Sequence, residues 1–397
     1  MSNEGKKLRT LDDLPVDGQR VLVRVDFNVS VGEDGKIGEN EDYRIEAALP
    51  TINELRQRRS KVILLTHFGR PREDGKSHDD FDLSSIKRRL EELLGEEIKQ
   101  TKKLYGSEVE TVVSSLEPGG VVLLPNVRID EREEMGNDKF AHELAGIADI
   151  YVNECFSVSH RAHTSVAFLP HLLPACAGRR TALEIEVLQK LREHPEHPYV
   201  AITSGAKIST KIGLLRDLIT KVDTLCVAGQ LANVFLAAQG KYPTDRFSHD
   251  DIAAAQSLLA TSERKIMLPV DVVIGRVDGS DAQTVAADHI PPEAEGSWDI
   301  GSQSVEQILQ VCRAAKTIMW NGPVGMFEVP AYATATFTLA QELAKLPAYR
   351  VVGGGDTVNA IERQHVKGKY DHISTGGGAM IEFMEGERMP GLEPLYN

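Results

Sequence analysis

Two triple-glycine runs near the end of the chain have the make-up of phosphate-binding turns. The first is Gly353, Gly354 and Gly355, followed by Asp356 and Thr357; the second is Gly376, Gly377 and Gly378. Each follows a short strand-like stretch and precedes a segment able to run as a helix. Glycine lacks the Cβ that keeps a bulky anion off the backbone. A glycine turn opening a helix presents free N–H groups at the positive end of the helix dipole. Asp356 is placed to give a hard oxygen to the magnesium that accompanies nucleotide phosphates. A pair of tight structural turns would use the same residues, but two triplets, one leading into Asp-Thr, favour phosphate.

A second set of residues could hold a small anion. In the first apolar run Val21, Val23, Val25 and Phe27 alternate with Leu22, Arg24, Asp26 and Asn28, so the polar three share one strand face. Burying them unpartnered is costly; they pair with each other or read a polar ligand. Further cations stand in similar places: Arg44, His67, Arg70, Arg128, and Arg161 between His160 and His163. Arginine's planar fork suits carboxylate and phosphate. Each arginine alone reads as a surface ion pair; five together favour an anion pocket.

In the second half, Lys207 and Lys211 are four apart after a strand and a glycine turn. That spacing predicts one shared helix face, where an anion would offset their repulsion. Two solvated lysines at a helix start are the alternative. The 320–328 stretch, WNGPVGMFE, reads as a strand and a glycine-proline turn without a readable role. No GxxxxGK[ST] motif is present, and no Ser-His-Asp or Cys-His set stands out. A carboxylate acceptor needs no general base, because it is already ionised at neutral pH. Phosphoryl transfer asks mainly for positioning and charge neutralisation.

The elements that must position these residues are short β-branched runs alternating with helical stretches. The runs are 21–25, 62–65, 121–124, 150–152, 199–202, 224–227, 265–268, 317–320 and 350–352; 83–94 and 140–148 have helical spacing. This alternation predicts an α/β fold with doubly wound parallel sheets. Ligands then bind beyond the carboxyl ends of the strands, where His67, Arg128 and Ser204 stand. An amphipathic helix over 181–193, stopped by Pro195 and Pro198, predicts a boundary near 178–198. The expectation is two similar lobes joined by one long helix, a single large sheet being the alternative.

At 397 residues, 41% hydrophobic and 26% charged, the chain reads as globular with room for two cores. Its net charge of −14 argues against nucleic acid or an anionic membrane as partner. The charged start lacks a secretory pattern, and no run is long enough to span a bilayer. Four widely spaced cysteines fit reduced thiols, hence a cytoplasmic setting.

In order along the chain, VRVDFNV (23–29), YRIEAALPTI (43–52), THFGRP (66–71), LLPNVR (123–128), SHRAHTS (159–165), SGAKISTKI (204–212), WNGPVGMFE (320–328), GGGDTV (353–358) and HISTGGGAMIEFMEG (372–386), with MPG behind, resemble the phosphoglycerate kinases from end to end. The resemblance implies two Rossmann-like lobes: 1–177 with the returning tail 380–397 for phosphoglycerate, 199–379 for nucleotide, and 178–198 as the hinge helix and linker between them. It implies reversible transfer of phosphoryl between ATP and the carboxylate of 3-phosphoglycerate by hinge-bending closure, with 1,3-bisphosphoglycerate and ADP on the other side. Asp26, Asn28, Arg44, His67, Arg70, Arg128 and Arg161 are then expected to hold phosphoglycerate, with Arg44 against the reacting carboxyl group. Lys207 is expected to move with the transferred group. Lys211, Gly229, Asn321, Glu328, Gly353, Gly354, Gly355 and Thr357 are expected on the nucleotide, and Asp356 on Mg2+. The backbones of Gly354 and Gly377 are the expected catalytic neutralisers of charge. A monomer is expected, a dimer being the alternative. Pro125, Glu154 to Ser159, Ser204 and Thr210 depart from the common pattern. The loop Ala228, Gly229, Gln230, Leu231 looks like archaeal members and leaves ATP or GTP open.

Overall fold

The computed structural model describes residues 6–32, 34–38, 42–71, 81–205, 208–209, 211–262 and 264–397. Its contacts divide the chain into two compact units, Met1–Glu186 with Glu387–Asn397, and Val187–Gly386. The division falls inside one continuous helix, Arg179–Glu193.

The first unit is built on a six-stranded sheet of β1 (Arg20–Val25), β2 (Lys61–Thr66), β3 (Lys99–Gln100), β4 (Val121–Leu123), β5 (Ile150–Glu154) and β6 (Ala175–Ala177). The order is β3-β4-β2-β1-β5-β6, and every pairing is parallel. Parallel strands covered on both faces need apolar residues at nearly every position, which is why these segments read as continuous runs. Val21, Val23, Val25 and Phe27 enter one core with Val62, Leu64, Leu123 and Val152, beneath Ile45, Ile52 and Leu55 of the helix Tyr43–Gln57. The alternation expected for this strand is therefore present, and Arg24, Asp26 and Asn28 lie outside that core. From β1 the chain winds outward on one side and then crosses to β5 on the other. This switch point opens a crevice at the carboxyl ends of β1 and β5.

The second unit contains β7 (Tyr199–Ser204), β8 (Thr224–Ala228), β9 (Ile266–Met267), the antiparallel strands β10 (Asp271–Gly275), β11 (Gln283–Ala286) and β12 (Gly296–Ile300), and then β13 (Thr317–Asn321), β14 (Tyr349–Gly353) and β15 (His372–Ile373). Its main sheet runs β15-β14-β13-β7-β8-β9, again all parallel. The switch point is between β7 and β13. Trp320 is fully buried there among Val200, Ile202, Cys226, Ile318 and Leu339. The three-stranded sheet β11-β10-β12 was not foreseen from the sequence. Of its strands, β11 is polar and exposed, β12 carries Ser297 and Asp299 at buried positions, and the apolar stretch of β10 is confined to Val272, Val273 and Ile274, so none shows the longer apolar run that reveals a buried strand.

The start of the Arg179–Glu193 helix is held by neighbours distant in sequence. The Glu154 carboxylate at the end of β5 accepts from the Arg180 and Thr181 N–H groups at 3.0 and 3.2 Å. Thr51 donates to Glu154 at 2.6 Å and accepts from Arg179 N at 2.7 Å. These bonds satisfy donors that every helix start leaves open. Burial pushes the Glu154 carboxyl up to about 7, against the opposing pull of Thr51 and the two N–H groups. The tail returns to the first unit through Gly391, whose N–H donates to Ser159 O at 2.8 Å and whose carbonyl accepts from Asn153 at 2.9 Å. All four cysteines are buried free thiols. Among the described residues, no helix is long and apolar enough to cross a membrane.

A Cβ at Gly178 would lie 2.1 Å from Glu154 Oε2 and 3.0 Å from Thr51 Oγ1. Gly178→Ala is therefore expected to destabilise the first unit by about 1–3 kcal/mol. Chemical denaturation followed in that unit checks it, and an unchanged midpoint would contradict the close approach.

Candidate functional site

In the first unit the ends of β1, β2, β4 and β5 converge on Asp26. Its carboxylate is ion-paired to Arg44, in the first turn of the helix Tyr43–Gln57. It also accepts from Ser157 Oγ at 2.6 Å, in the segment after β5, and from the Asn28 N–H at 3.2 Å. His67 Nε2, after β2, lies 4.0 Å from Asp26 Oδ1. The next turn is fixed from both sides: Asn28 Oδ1 accepts from Gly69 N at 2.8 Å, and Arg128 donates to Gly69 O at 2.8 Å. Asn126, after β4, clasps Phe68 by accepting from its N–H at 3.0 Å and donating to its carbonyl at 2.7 Å. The strand ends are thus tied into one wall before any ligand arrives.

The electrostatics of this wall suit an anion. Burial, then Arg24, Arg128 and Arg44, hold the His67 imidazole well below its usual range. His163 is depressed to about 3 by burial and by Arg128, Arg24 and Arg161; His160 is depressed to about 4 by burial and Arg161. Arg128 is itself pulled down by burial and Arg24. Like charges that lower one another's pKa are close in space, so Arg161 belongs with this group. His163 Nδ1 is buried without a hydrogen-bond partner among the described residues. Arg70 is exposed beyond β2. Asp26, His67 and Cys155 bring one ligand atom each within 4.8 Å of one another, the spacing of a metal site. The chemistry argues otherwise: burial pushes the Cys155 thiol up to about 12, and Arg44 already neutralises Asp26.

In the second unit the site is backbone-lined. Both glycine triplets open helices, Gly355–Arg363 after β14 and Gly378–Glu385 after β15. Gly354 and Gly377 stand just ahead of them with φ of 94° and 53°, conformations that a side chain makes costly. A Cβ at Gly355, Gly377 or Gly378 would meet nothing within 4 Å, so the chain borders open space on that side of these residues. Thr357 Oγ1 accepts from Gly322 N at 2.8 Å, joining the β14 turn to the β13 turn. Asn321, at the end of β13, accepts from Lys211 Nζ at 2.7 Å. Gly229 begins the helix after β8, and a Cβ there would lie 2.3 Å from Ser204 Oγ. Asp356 is exposed in the first turn after the triplet and makes no hydrogen bond or ion pair with the described residues. One free carboxylate beside open backbone donors fits Mg2+, which keeps waters and phosphate oxygens as its other ligands. Glu328 is exposed in the loop after β13.

The lysine pair needs correction. Lys207 lies outside the described residues. Lys211 is not on a helix face but immediately before the helix Ile212–Lys221. It folds back over Gly205, with Cε 3.1 Å from where a Cβ would be, and donates to the Ser204 carbonyl and Asn321. A cation inside the first helical turn opposes the dipole, whereas carbonyl ends of strands attract it. Burial depresses Lys211 to about 8.

A family model for phosphoglycerate kinase matches residues 11–387. The chain belongs to the phosphoglycerate kinase family. It is 42% identical over 399 residues to the phosphoglycerate kinase of Pelotomaculum thermopropionicum, covering 98% of this chain and 99% of that one. It is 43% identical over 393 residues to that of Moorella thermoacetica, covering 97% and 98%. Among solved structures it is similar to phosphoglycerate kinase from Coxiella burnetii, with a TM-score of 0.85, 35% identity and coverage of 98% and 99%. The Pyrococcus horikoshii kinase gives a TM-score of 0.86 at 27% identity, covering 97% and 98%. Two parallel-sheet lobes are the fold shared with these kinases.

Sequence reasoning left Glu133, Ser165 and Ser157 without roles. Ser157 reaches Asp26 across 131 residues, beyond any local pattern. At Gly322, φ is 99° and a Cβ would sit 2.6 Å from the Ser204 carbonyl oxygen, which is backbone and cannot swing away. Gly322→Ala is expected to cost about 1–3 kcal/mol through strain and overpacking. Denaturant unfolding monitored at the Trp320 environment measures it; wild-type stability would contradict the contact.

Proposed function

We propose that this chain catalyses the reversible transfer of a phosphoryl group between ATP and the carboxylate of 3-phosphoglycerate, the glycolytic step that yields ATP from 1,3-bisphosphoglycerate and ADP. The observation that carries this reading is the cluster around Asp26, where Arg44, His67 and Arg128 meet at one switch point. An acceptor bearing both a phosphate and a carboxylate fits a site whose cations are Arg44, Arg128 and Arg161, with His67 neutral beside them. The first unit binds the phosphoglycerate through Asp26, Asn28, Arg44, His67, Arg70, Arg128 and Arg161. The second binds the nucleotide through Lys207, Lys211, Gly229, Asn321, Glu328, Gly353, Gly354, Gly355 and Thr357.

The chemistry needs no proton abstraction. The acceptor carboxylate is ionised, and the protein positions it and neutralises charge. Arg44, clamped by Asp26 and with Nε donating to Tyr43 Oη at 3.1 Å, lies against the reacting carboxyl group. Lys207 follows the transferred phosphoryl group. The N–H groups at Gly354 and Gly377 stabilise its developing charge, as preorganised donors do. Asp356 would hold Mg2+, which would offset phosphate charge when bound with nucleotide. The Arg179–Glu193 helix is the hinge through which closure brings donor and acceptor in line and excludes water. The enzyme works in the cytoplasm as a monomer.

A coupled assay with 3-phosphoglycerate and Mg-ATP, alongside acetate and glycerate, tests the reading. Turnover confined to 3-phosphoglycerate is expected; turnover of another carboxylate in its place would overturn the acceptor. Arg44→Ala and Lys207→Ala are each expected to lower kcat by about a hundredfold or more, and near-normal turnover would remove that residue from the mechanism. Asp356→Ala is expected mainly to weaken Mg-nucleotide binding by calorimetry.

Lys211 adds a pH signature. Its folded pKa of about 8 is below the usual 10.5 because of burial. Below about pH 8 it carries its charge toward phosphate; above, the free enzyme releases the proton and a bound phosphate would restore it. Nucleotide affinity should therefore fall as pH rises above about 8, and binding near pH 8.5 should take up protons. Titrations in buffers of different ionisation enthalpy read this uptake, and Lys211→Met should abolish it. The same shift makes folding stability rise with pH between about 8 and 10.5, where only the unfolded chain keeps the proton.

A further inference from the structure

Arg24 is fully buried on the face of β1 opposite the core, and nothing in the transfer chemistry above uses it. Its guanidinium is held from several sides. Nε donates to Ser165 Oγ at 2.8 Å and Nη1 to the Val25 carbonyl at 2.8 Å. Nη2 is 3.9 Å from the fully buried Glu133 carboxylate, which is itself fixed by Ser165 Oγ at 2.6 Å and Ser165 N at 2.9 Å. Nη1 and Nη2 both stand 3.3 Å from His67 Nδ1.

A guanidinium donates and cannot accept. His67 Nδ1 must therefore be the accepting, unprotonated nitrogen, and the ring proton of the neutral imidazole must sit on Nε2. That nitrogen is the one 4.0 Å from Asp26, at the proposed phosphoglycerate site. We propose that Arg24, braced by Glu133 and Ser165, is a positioning residue that locks His67 as its Nε2–H tautomer, so that a neutral N–H donor faces the acceptor anion. The opposite tautomer would turn a lone pair toward that anion. The same lock disfavours a metal at Asp26, His67 and Cys155: ligation through Nε2 needs its proton moved to Nδ1, where Arg24 already donates. The kinetic part of this role rests on the phosphoglycerate reading; the tautomer does not.

Long-range 1H–15N spectra of the full chain labelled at histidine nitrogens test the lock without substrate. Near neutral pH, wild-type His67 is expected to show a protonated Nε2 and an accepting Nδ1. Arg24→Met should shift the ring toward the Nδ1–H form. It should raise KM for 3-phosphoglycerate about tenfold, as for a lost charge-assisted positioning contact, with KM for Mg-ATP unchanged. Because Arg24→Met strands the Glu133 charge, the pair Arg24→Met with Glu133→Gln serves as the neutral variant and should show the same two effects. In a His67→Gln background, Arg24→Met should add little to KM. A wild-type His67 protonated on Nδ1, or an equal KM effect of Arg24→Met in the His67→Gln background, would overturn the proposal. The expected tautomer and its loss in Arg24→Met, without turnover of 3-phosphoglycerate, would support the lock and overturn the acceptor assignment instead.

Discussion

Positive charge gathered at the buried ends of strands raises the free energy of the protein until an anion neutralises it. In the first unit, Arg24, Arg44, Arg128 and Arg161 lie close enough to depress His67, His163 or each other, and among the described residues Asp26, Glu133 and Glu134 answer them. The arrangement persists because each guanidinium is hydrogen-bonded or ion-paired to the scaffold, which limits the desolvation cost without cancelling the field. A chain with a net charge of −14 that maintains such a pocket has localised its cations against its own average.

The second unit meets the same ligand chemistry by removing side chains. Gly354 and Gly377 adopt backbone angles that suit glycine, and Gly229 and Gly322 let neighbouring strand ends approach Ser204 within distances that a Cβ would violate. The result is a row of N–H donors at two helix starts, with Asp356 beside them and Lys211 drawn against Ser204 and Asn321. Backbone donors carry fixed partial charges and need no reorganisation. Side-chain cations in the first unit and backbone donors in the second are thus two ways of offering positive potential at the carboxyl ends of parallel strands.

Much of this was legible in one dimension. The apolar runs were visible because strands buried on both faces need such residues, and the glycine triplets because their Cβ-free geometry has few other uses. The short strands β3 and β6, the polar strands β11 and β12 and the brief apolar stretch of β10 lacked a run long enough to give that signal. The lysine spacing misled because four residues apart means a shared face only inside a helix, and the helix begins after Lys211.

By itself the sequence determined the residue types, the order of the main parallel strands and the helices between them, the ends at which chemistry had to stand, and the family. Local periodicity carries that information, because a strand repeats every two residues and a helix every three or four. Only the tertiary structure decided that Arg24 turns to His67 and Glu133, that Ser157 steadies Asp26, and that Glu154 caps the Arg179–Glu193 helix. Arg24 and His67, Ser157 and Asp26, and Glu154 and Arg180 are separated by 43, 131 and 26 residues. At such distances in sequence, partnership is set by which strand ends the winding of the sheet brings side by side.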